Sequence, residues 1–173
     1  MLSDLEFVQT VETDARNLPF ITPWERTQHE AAVRIPDFRH FIVEAGPDGS
    51  RNGFIILQGC RNQHKSVELK RIVLQPSGHG RGLGRACVRL LKRMAFRDLS
   101  AHRFWLDVKS LNSRALALYE SEGFIEEGRL RESVRLHGLG EDAGYDSLVV
   151  MSLLDREYRA RVALGLEEVG GGA

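Results

Sequence analysis

Apolar residues recur at every second position in several stretches of the chain and at helical spacing in others. The two-residue period predicts strands at residues 4–10, 38–44, 53–60, 66–74, 102–108, 124–131 and 146–154. In the first of these, Leu5 and Phe7 are expected to point inward. Helices are predicted over residues 24–34, after a glycine turn near residue 84, and from Asn112 onward. The order β-α-β-β-β-α-β-α-β-β predicts an α/β domain in which a turn at residues 46–49 closes an antiparallel hairpin.

The glycine turn precedes the second predicted helix and contains Gly78, Gly80, Gly82 and Gly84. One face of that helix is expected to be buried and consists of Leu83, Cys87, Leu90, Leu91 and Met94. The opposite, exposed face is expected to carry Arg85, Arg89, Lys92 and Arg93. Glycines let the backbone approach a ligand closely, and a helix N-terminus offers unpaired N–H groups. The turn therefore predicts an anion site, and a phosphate is the anion that suits it best.

Known phosphate-binding patterns differ in how well they match this turn. The dinucleotide pattern G-x-G-x-x-G fails because Arg85 stands three residues after Gly82, and no P-loop run occurs. The segment from His79 to Gly84 resembles the pattern [QR]-x-x-G-x-[GA], the pyrophosphate loop of the GNAT superfamily of N-acetyltransferases. It departs from that pattern at its first position, where His79 replaces Gln or Arg.

A second segment, from Asn112 to Phe124, resembles the GNAT pattern N-x-x-A-x-x-x-Y-x-x-x-G-F. Asn112 is a suitable N-cap and Gly123 a suitable residue to follow the helix, whose buried side is expected to include Leu111, Ala115 and Leu118. The resemblance covers residues 66–154 well. It implies a GNAT fold, in which a mixed, mostly antiparallel sheet is splayed in its middle and flanked by helices.

The resemblance also implies where acetyl-CoA binds. The cofactor enters the splay between the strand before the glycine loop and the strand after its helix, and pantetheine pairs with the backbone of Ile72, Val73 and Leu74. The backbone of the loop binds the pyrophosphate through His79, Gly80, Arg81, Gly82, Leu83, Gly84 and Arg85. Asn112 and Tyr119 complete the cofactor site.

Acetyl transfer needs a neutral amine, and it needs a proton for the leaving thiolate. Tyr119 is the candidate acid, because the tyrosine of this motif lies near the CoA sulfur in the family. Two carboxylates compete for the role of base, and a strand-end salt bridge is the alternative for each. Asp107 ends a strand whose L-D-V resembles the L-E-V of ribosomal-protein alanine acetyltransferases, and it requires a water relay. Glu68 lies on the strand before the glycine loop, where strand alternation predicts that it shares a face with Ile72 and Leu74.

Specificity is expected from the helix that contains Trp24 and from the loop at residues 136–147. Tyr145 and Asp146, together with Glu141 and Asp142 in that loop, favour a cationic amine such as a polyamine or an aminoglycoside. A protein N-terminus is the other acceptor considered, and an ordinary solvated hairpin is the alternative explanation of the loop.

The 173 residues contain 24 basic and 24 acidic side chains, so the net charge is zero and a nucleic-acid partner is not expected. A single domain at residues 1–160 is predicted, followed by a frayed tail at 161–173. No apolar run reaches the roughly 18 residues of a membrane span, and the N-terminal residues do not resemble a signal peptide. Cys60 and Cys87 are expected to be buried, reduced thiols, and a cytoplasmic location is therefore expected. The six histidines show no metal-ligand spacing, so no metal is expected.

The sequence thus predicts an acetyl-CoA-dependent N-acetyltransferase. The amine is expected to attack directly in a ternary complex, because neither cysteine stands where a nucleophile is expected. A non-catalytic acyl-CoA-binding module, acting as a sensor or in assembly, is the alternative, and a homodimer is left open.

Overall fold

The computed structural model describes residues 2–46, 49–76, 80, 82–136 and 144–167. Its strands form one six-stranded sheet in the order β1-β2-β3-β4-β6-β5. They are β1 Arg39–Ala45, β2 Ser50–Gln58, β3 Ser66–Leu74, β4 Arg103–Lys109, β5 Ile125–Arg135 and β6 Tyr145–Leu154. The helices are α1 Leu5–Glu12, α2 Arg26–Arg34, α3 Leu83–Arg93, α4 Ser113–Ser121 and α5 Asp155–Ala163, and a π-helical turn, Met94–Asp98, continues α3. All strand pairs are antiparallel except β3 with β4, as the mixed-sheet prediction requires.

The predicted first strand at residues 4–10 is wrong, because these residues belong to helix α1. Leu5, Val8 and Val11 are spaced three apart and are all buried, which is the helical period. Val8 and Val11 pack with Phe54 and other residues of the sheet. Helix α2 begins two residues later than predicted and ends, as expected, before Pro36.

The sheet buries a hydrophobic cluster on each face. The larger cluster packs against α3, α4 and α5 and includes Leu69 and Phe104. The smaller cluster lies under α1 and includes Phe54 and Val73. Phe104, Leu106 and Val108 are buried, as their shared strand face predicts. The predicted hairpin turn at 46–49 includes residues 47 and 48, which lie outside the described residues.

A bulge in β3 changes which side chains share a face. Ile56 pairs with Arg71 but Leu57 pairs with Leu69, so Lys70 is an extra residue in β3. Leu69 and Ile72 consequently both join the larger cluster. Glu68 faces the other way, and the prediction that it shares a face with Ile72 and Leu74 is wrong. Regular alternation cannot anticipate an inserted residue.

The buried face of α3 differs from its prediction at two positions, because Leu90 is 50% exposed and Lys92 is 0% exposed. The other residues predicted on that face, Leu83, Cys87, Leu91 and Met94, pack against the core. Leu111, expected on the buried side of α4, is 57% exposed, while Ala115 and Leu118 do pack against the core. Lys92 is tolerated inside because its ammonium ends among acidic partners, which no local pattern reveals.

The C-terminal segment packs onto the domain as far as it is described. In α5, the Tyr158 ring stacks on Phe96 at 4.7 Å, and Val162 contacts the core. Glu167 is buried and pairs with Lys92. Val162 and Glu167, expected to belong to a frayed tail, therefore pack against the domain, whereas residues 163–166 are exposed and residues 168–173 lie outside the described residues. Within the described part of the chain, no helix is long and apolar enough to cross a membrane.

Candidate active site

The two central strands separate to form a cleft. β3 and β4 pair in parallel over only three positions, from Ser66–Arg103 to Glu68–Trp105, and then diverge. A cleft of about 810 Å³ opens beyond that point. Its walls are residues 69–74 of β3, the beginning of α3, the end of β4, the first two turns of α4 and part of the α1–α2 connection, residues 13–25. The predicted splay is confirmed, and the residues predicted to pair with pantetheine, Ile72, Val73 and Leu74, lie along it.

The N-terminus of α3 opens into this cleft. Gly80 and Gly82 have φ angles of +79° and +78°, values that L-residues with a side chain rarely adopt. Helix α3 starts directly after Gly82, and the first-turn residues Leu83, Gly84 and Arg85 line the cleft. The N–H groups of a first helical turn attract anions. His79 and Arg81, also expected in this loop, lie outside the described residues.

The Arg85 guanidinium is already neutralised within the protein. Its Nη1 donates to Glu122 at 2.5 Å and to the Ser121 hydroxyl at 2.9 Å. Both acceptors lie at the C-terminal end of α4. Arg85 thus connects the start of α3 to the end of α4.

Helix α4 brings two further predicted residues to the cleft. The Asn112 side chain caps the helix by accepting a hydrogen bond from the Ala115 N–H at 3.2 Å, as predicted. Tyr119, seven residues later, is buried in the same wall, with its ring 5.7 Å from the Phe124 ring. Burial, and secondly the negative charge of Asp107, raise the pKa of Tyr119. The phenol is therefore protonated at neutral pH and can act as a proton donor.

The two candidate bases differ in their surroundings. Asp107 is an exposed residue of β4 that lines the cleft. Glu68 is buried where the strands part, and its carboxylate accepts a hydrogen bond from Lys70 at 3.0 Å. Burial raises the pKa of Glu68, against the opposing effect of Lys70. Asp107 and Tyr119 both line the cleft, whereas Glu68 is not among the described residues that line it.

Trp24, in the α1–α2 connection, lines the cleft as predicted. Polar residues of neighbouring elements, which were not predicted, contact this connection. Arg71 of β3 forms an ion pair with Glu12 of α1 at 2.6 Å and lies over the Trp24 ring at 4.6 Å. Lys109 of β4 is buried, which lowers its pKa, and donates to the carbonyls of Pro19 and Ile21, each at 3.3 Å. The position of Glu12 on the buried stripe of α1 is the one sequence signal that could have indicated this cluster.

Two residues expected to bind the acceptor lie away from the cleft lining. Tyr145 begins β6 and is 64% exposed. The buried Asp146 carboxylate accepts hydrogen bonds from the Ser110 hydroxyl and from the N–H groups of Leu111 and Ser147. Asp146 thus organises the β4–α4 connection. Glu141 and Asp142 lie outside the described residues, and among those described no group of three His, Cys, Asp or Glu could hold a metal ion.

Comparisons with known proteins agree with this architecture. The sequence model of the acetyltransferase (GNAT) family matches residues 5–124. The spermidine N(1)-acetyltransferase of Escherichia coli K12 is 25% identical over 167 residues, which are 91% of this chain and 84% of that protein. YdaF of Bacillus subtilis, provisionally named a ribosomal N-acetyltransferase, is 31% identical over 131 residues, 72% of this chain and 68% of that protein. A mutant form of spermidine N-acetyltransferase SpeG from Vibrio cholerae superposes with a TM-score of 0.78 and 25% identity, over 94% of this chain and 96% of that one.

Proposed function

Because the chain belongs to the acetyltransferase (GNAT) family, we propose that its cleft brings acetyl-CoA and a primary amine together, so that the amine attacks the thioester directly. Membership confirms the resemblance of the two motifs and the GNAT fold. The protein is an N-acetyltransferase, and acetyl-CoA is its acetyl donor. The alternative of a non-catalytic acyl-CoA-binding module is therefore set aside.

The divergence of β3 and β4 is the observation that carries the proposal. Beyond Glu68, the side of β3 that faces β4 has no strand partner among the described residues. Its backbone can therefore pair with the amides of pantetheine as an added strand would. The first turn of α3, at one end of this edge, receives the pyrophosphate. In this orientation the thioester lies near the middle of the cleft, between Asp107 and Tyr119.

The chemistry assigned to these two residues follows from their surroundings. The amine nitrogen attacks the thioester carbonyl carbon, and its proton passes through water to Asp107. The carbon–sulfur bond then breaks, and the Tyr119 hydroxyl gives its proton to the leaving sulfur. Because burial raises the pKa of Tyr119, the phenol is protonated at neutral pH and has a proton to give. Asp107 is preferred to Glu68 as the base because Asp107 lines the cleft and Glu68 is bound to Lys70.

A small cationic amine is the acceptor class that we propose first. Two of the similar proteins reported above are named spermidine acetyltransferases. The exposed Asp107 carboxylate lines the cleft, where its negative charge attracts an ammonium ion. A protein N-terminal amine is the second candidate, which the name of YdaF favours.

The test is CoA thiol release by the purified protein from acetyl-CoA. Spermidine and spermine, aminoglycosides, amino acids and short peptides with free N-termini are offered as separate pools. We expect release with the polyamine pool. Release with peptides alone would move the assignment to a protein N-terminus. Absence of release with every pool, although acetyl-CoA still raises the melting temperature, would contradict the proposed acceptors.

A further inference from the structure

The α1–α2 connection forms a wall of the cleft without a helix or strand of its own. We propose that Arg71 and Glu12 are positioning residues that hold this connection, and Trp24 in particular, in place for the amine acceptor. The inference rests on the proposed function, since it assigns this wall to the acceptor. It concerns residues that do not touch the reacting atoms.

Arg71 contacts the α1–α2 connection at two points. Its Nη2 donates to the Thr22 carbonyl at 2.7 Å, and its Cζ lies 4.6 Å from the centre of the Trp24 ring. The bulge at Lys70 makes this possible, because it turns Arg71 toward the face that carries α1. A planar guanidinium can hydrogen-bond at its edge and stack through its face at once, which an ammonium cannot do.

Glu12 contacts both Arg71 and the α1–α2 connection. It is 0% exposed, and its two carboxylate oxygens have different partners. Oε1 pairs with Arg71 at 2.6 Å, while Oε2 accepts from the Trp24 N–H at 3.2 Å and lies 2.8 Å from His29 Nε2. Trp24 is consequently held by its ring through Arg71 and by its backbone through Glu12.

The interactions of Arg71 and Glu12 can affect the chemistry in the cleft as well as the shape of its wall. Arg71 itself lines the cleft, and its positive charge interacts with Asp107, the proposed base, as well as with Glu12. A change at Arg71 therefore reaches both the acceptor wall and the charge around Asp107. The pyrophosphate end of the cleft, at α3, makes none of the contacts described for Arg71 and Glu12.

The test compares Arg71→Lys and Glu12→Gln with a matched control, Arg51→Lys. Arg51 also pairs with an acid, Asp4 at 3.0 Å, and lies over an aromatic ring, Phe7 at 5.7 Å, but it is not among the residues that line the cleft. Kinetics use spermidine as the acceptor, or a peptide with a free N-terminus if only peptides are acetylated. Titration calorimetry gives the Kd of acetyl-CoA for each variant.

We expect Arg71→Lys to raise the KM of the acceptor, or lower kcat, by about tenfold or more, because small misplacements of a bound substrate are costly. The Kd of acetyl-CoA stays within about twofold, since the interactions assigned to CoA are untouched. Glu12→Gln behaves in the same way, and Arg51→Lys matches the unmodified protein. Amide hydrogen exchange accelerates in residues 13–25 of the two test variants and not in α3.

Unchanged acceptor kinetics in a folded Arg71→Lys variant would overturn the proposal, as would equal weakening of acetyl-CoA and acceptor binding. If Arg71→Lys does not fold, Glu12→Gln, which is nearly isosteric, decides by the same criteria. If the unmodified protein acetylates no amine, the proposed function fails. Hydrogen exchange then still decides whether Arg71 holds the connection, so the two failures are distinguishable.

Discussion

Replacing Glu122 with Gln tests the charge cluster that joins α3 to the C-terminal end of α4. The Glu122 side chain is 1% exposed, and its carboxylate is within 3.2 Å of three cations. These are Arg85 at 2.5 Å, Arg89 at 3.2 Å and Lys92 at 2.9 Å. The buried Lys92 also pairs with Glu167 and donates to the Glu122 carbonyl at 2.9 Å. Glu122→Gln keeps the shape of the side chain and removes the charge that these cations share.

The size of the effect follows from which partners remain. Removing one member of a buried ion pair typically costs 3–5 kcal/mol, because the other charge is left uncompensated. Here Lys92 keeps Glu167, and the side chains of Arg85 and Arg89 are almost half exposed and can turn to water. We therefore expect a loss near the lower limit, about 3 kcal/mol in the free energy of unfolding. For a domain of this size that loss lowers Tm by about 6–12 °C.

The effect should also depend on pH. Burial alone would raise the pKa of Glu122, but hydrogen bonds from Lys92, Arg85 and Arg89 outweigh it, and the folded-state pKa lies below the usual value of 4.5. A group whose pKa is lowered by folding stabilises the protein above its unfolded pKa, and this contribution is lost as the pH falls through the folded value. The difference between Glu122→Gln and the unmodified protein should therefore be full at neutral pH and shrink below pH 4.5.

Urea unfolding at neutral and acidic pH measures both effects, with Glu126→Gln as the control. Glu126 pairs with Arg129 at the surface, at 2.8 Å, where an ion pair contributes little. A loss of less than about 1 kcal/mol for Glu122→Gln at neutral pH, the range of an exposed pair, would refute the assigned role of the buried carboxylate. A loss that is the same at both pH values would refute the electrostatic explanation and leave only packing.

Three further predictions concern the cleft. Tyr119→Phe should lower kcat by about a hundredfold, as loss of a general acid does, while the Kd of acetyl-CoA measured by calorimetry is nearly unchanged; unchanged turnover would remove Tyr119 from the mechanism. Asp107→Asn should lower kcat by about tenfold or more and Glu68→Gln by much less, in steady-state assays with the best acceptor, and the reverse order would assign the base to Glu68. Gly82→Ala should weaken acetyl-CoA binding by about tenfold, because a Cβ at φ +78° costs about 1–2 kcal/mol in the loop. Gly128→Ala is the control in the calorimetric measurement, since Gly128 has open space around it and no positive φ. Equal Kd values of acetyl-CoA for the two variants would contradict the prediction.

The parts of the fold that were predicted correctly are those whose signals are local. The Asn112 cap, the end of α4 before Gly123 and the start of α3 after Gly82 each depend on residues within one turn of the chain. The antiparallel pairing of β1 with β2 and the buried face of β4 follow from alternation over a few residues. The resemblance to the GNAT motif, rather than these local signals, assigned Asn112 and Tyr119 to the cleft, and both line it.

The errors have a different origin, because each depends on a partner far along the chain. In α1, Leu5 and Phe7 suggested a strand, but Val8 and Val11 pack under β2 and β3 and impose the helical period. The face of Glu68 depends on a bulge that is visible only in the pairing of β3 with β2. Lys92 was assigned to the surface by its charge, and its acidic partners lie 30 and 75 positions away.

The residues that sequence reasoning missed form two charge clusters, one on each side of the cleft. On the α3 side, Glu122 holds the first turn of the helix through Arg85. On the other side, Glu12 holds the α1–α2 connection through Arg71. Both carboxylates are at most 1% exposed, and a carboxylate buried in this way is costly unless cations are paired with it. A cleft made by separating two strands gives up the hydrogen bonds that would fix its width, and we infer that these two clusters hold its walls instead. Glu122→Gln should then weaken acetyl-CoA binding more than acceptor binding, and Glu12→Gln should weaken acceptor binding more than acetyl-CoA binding.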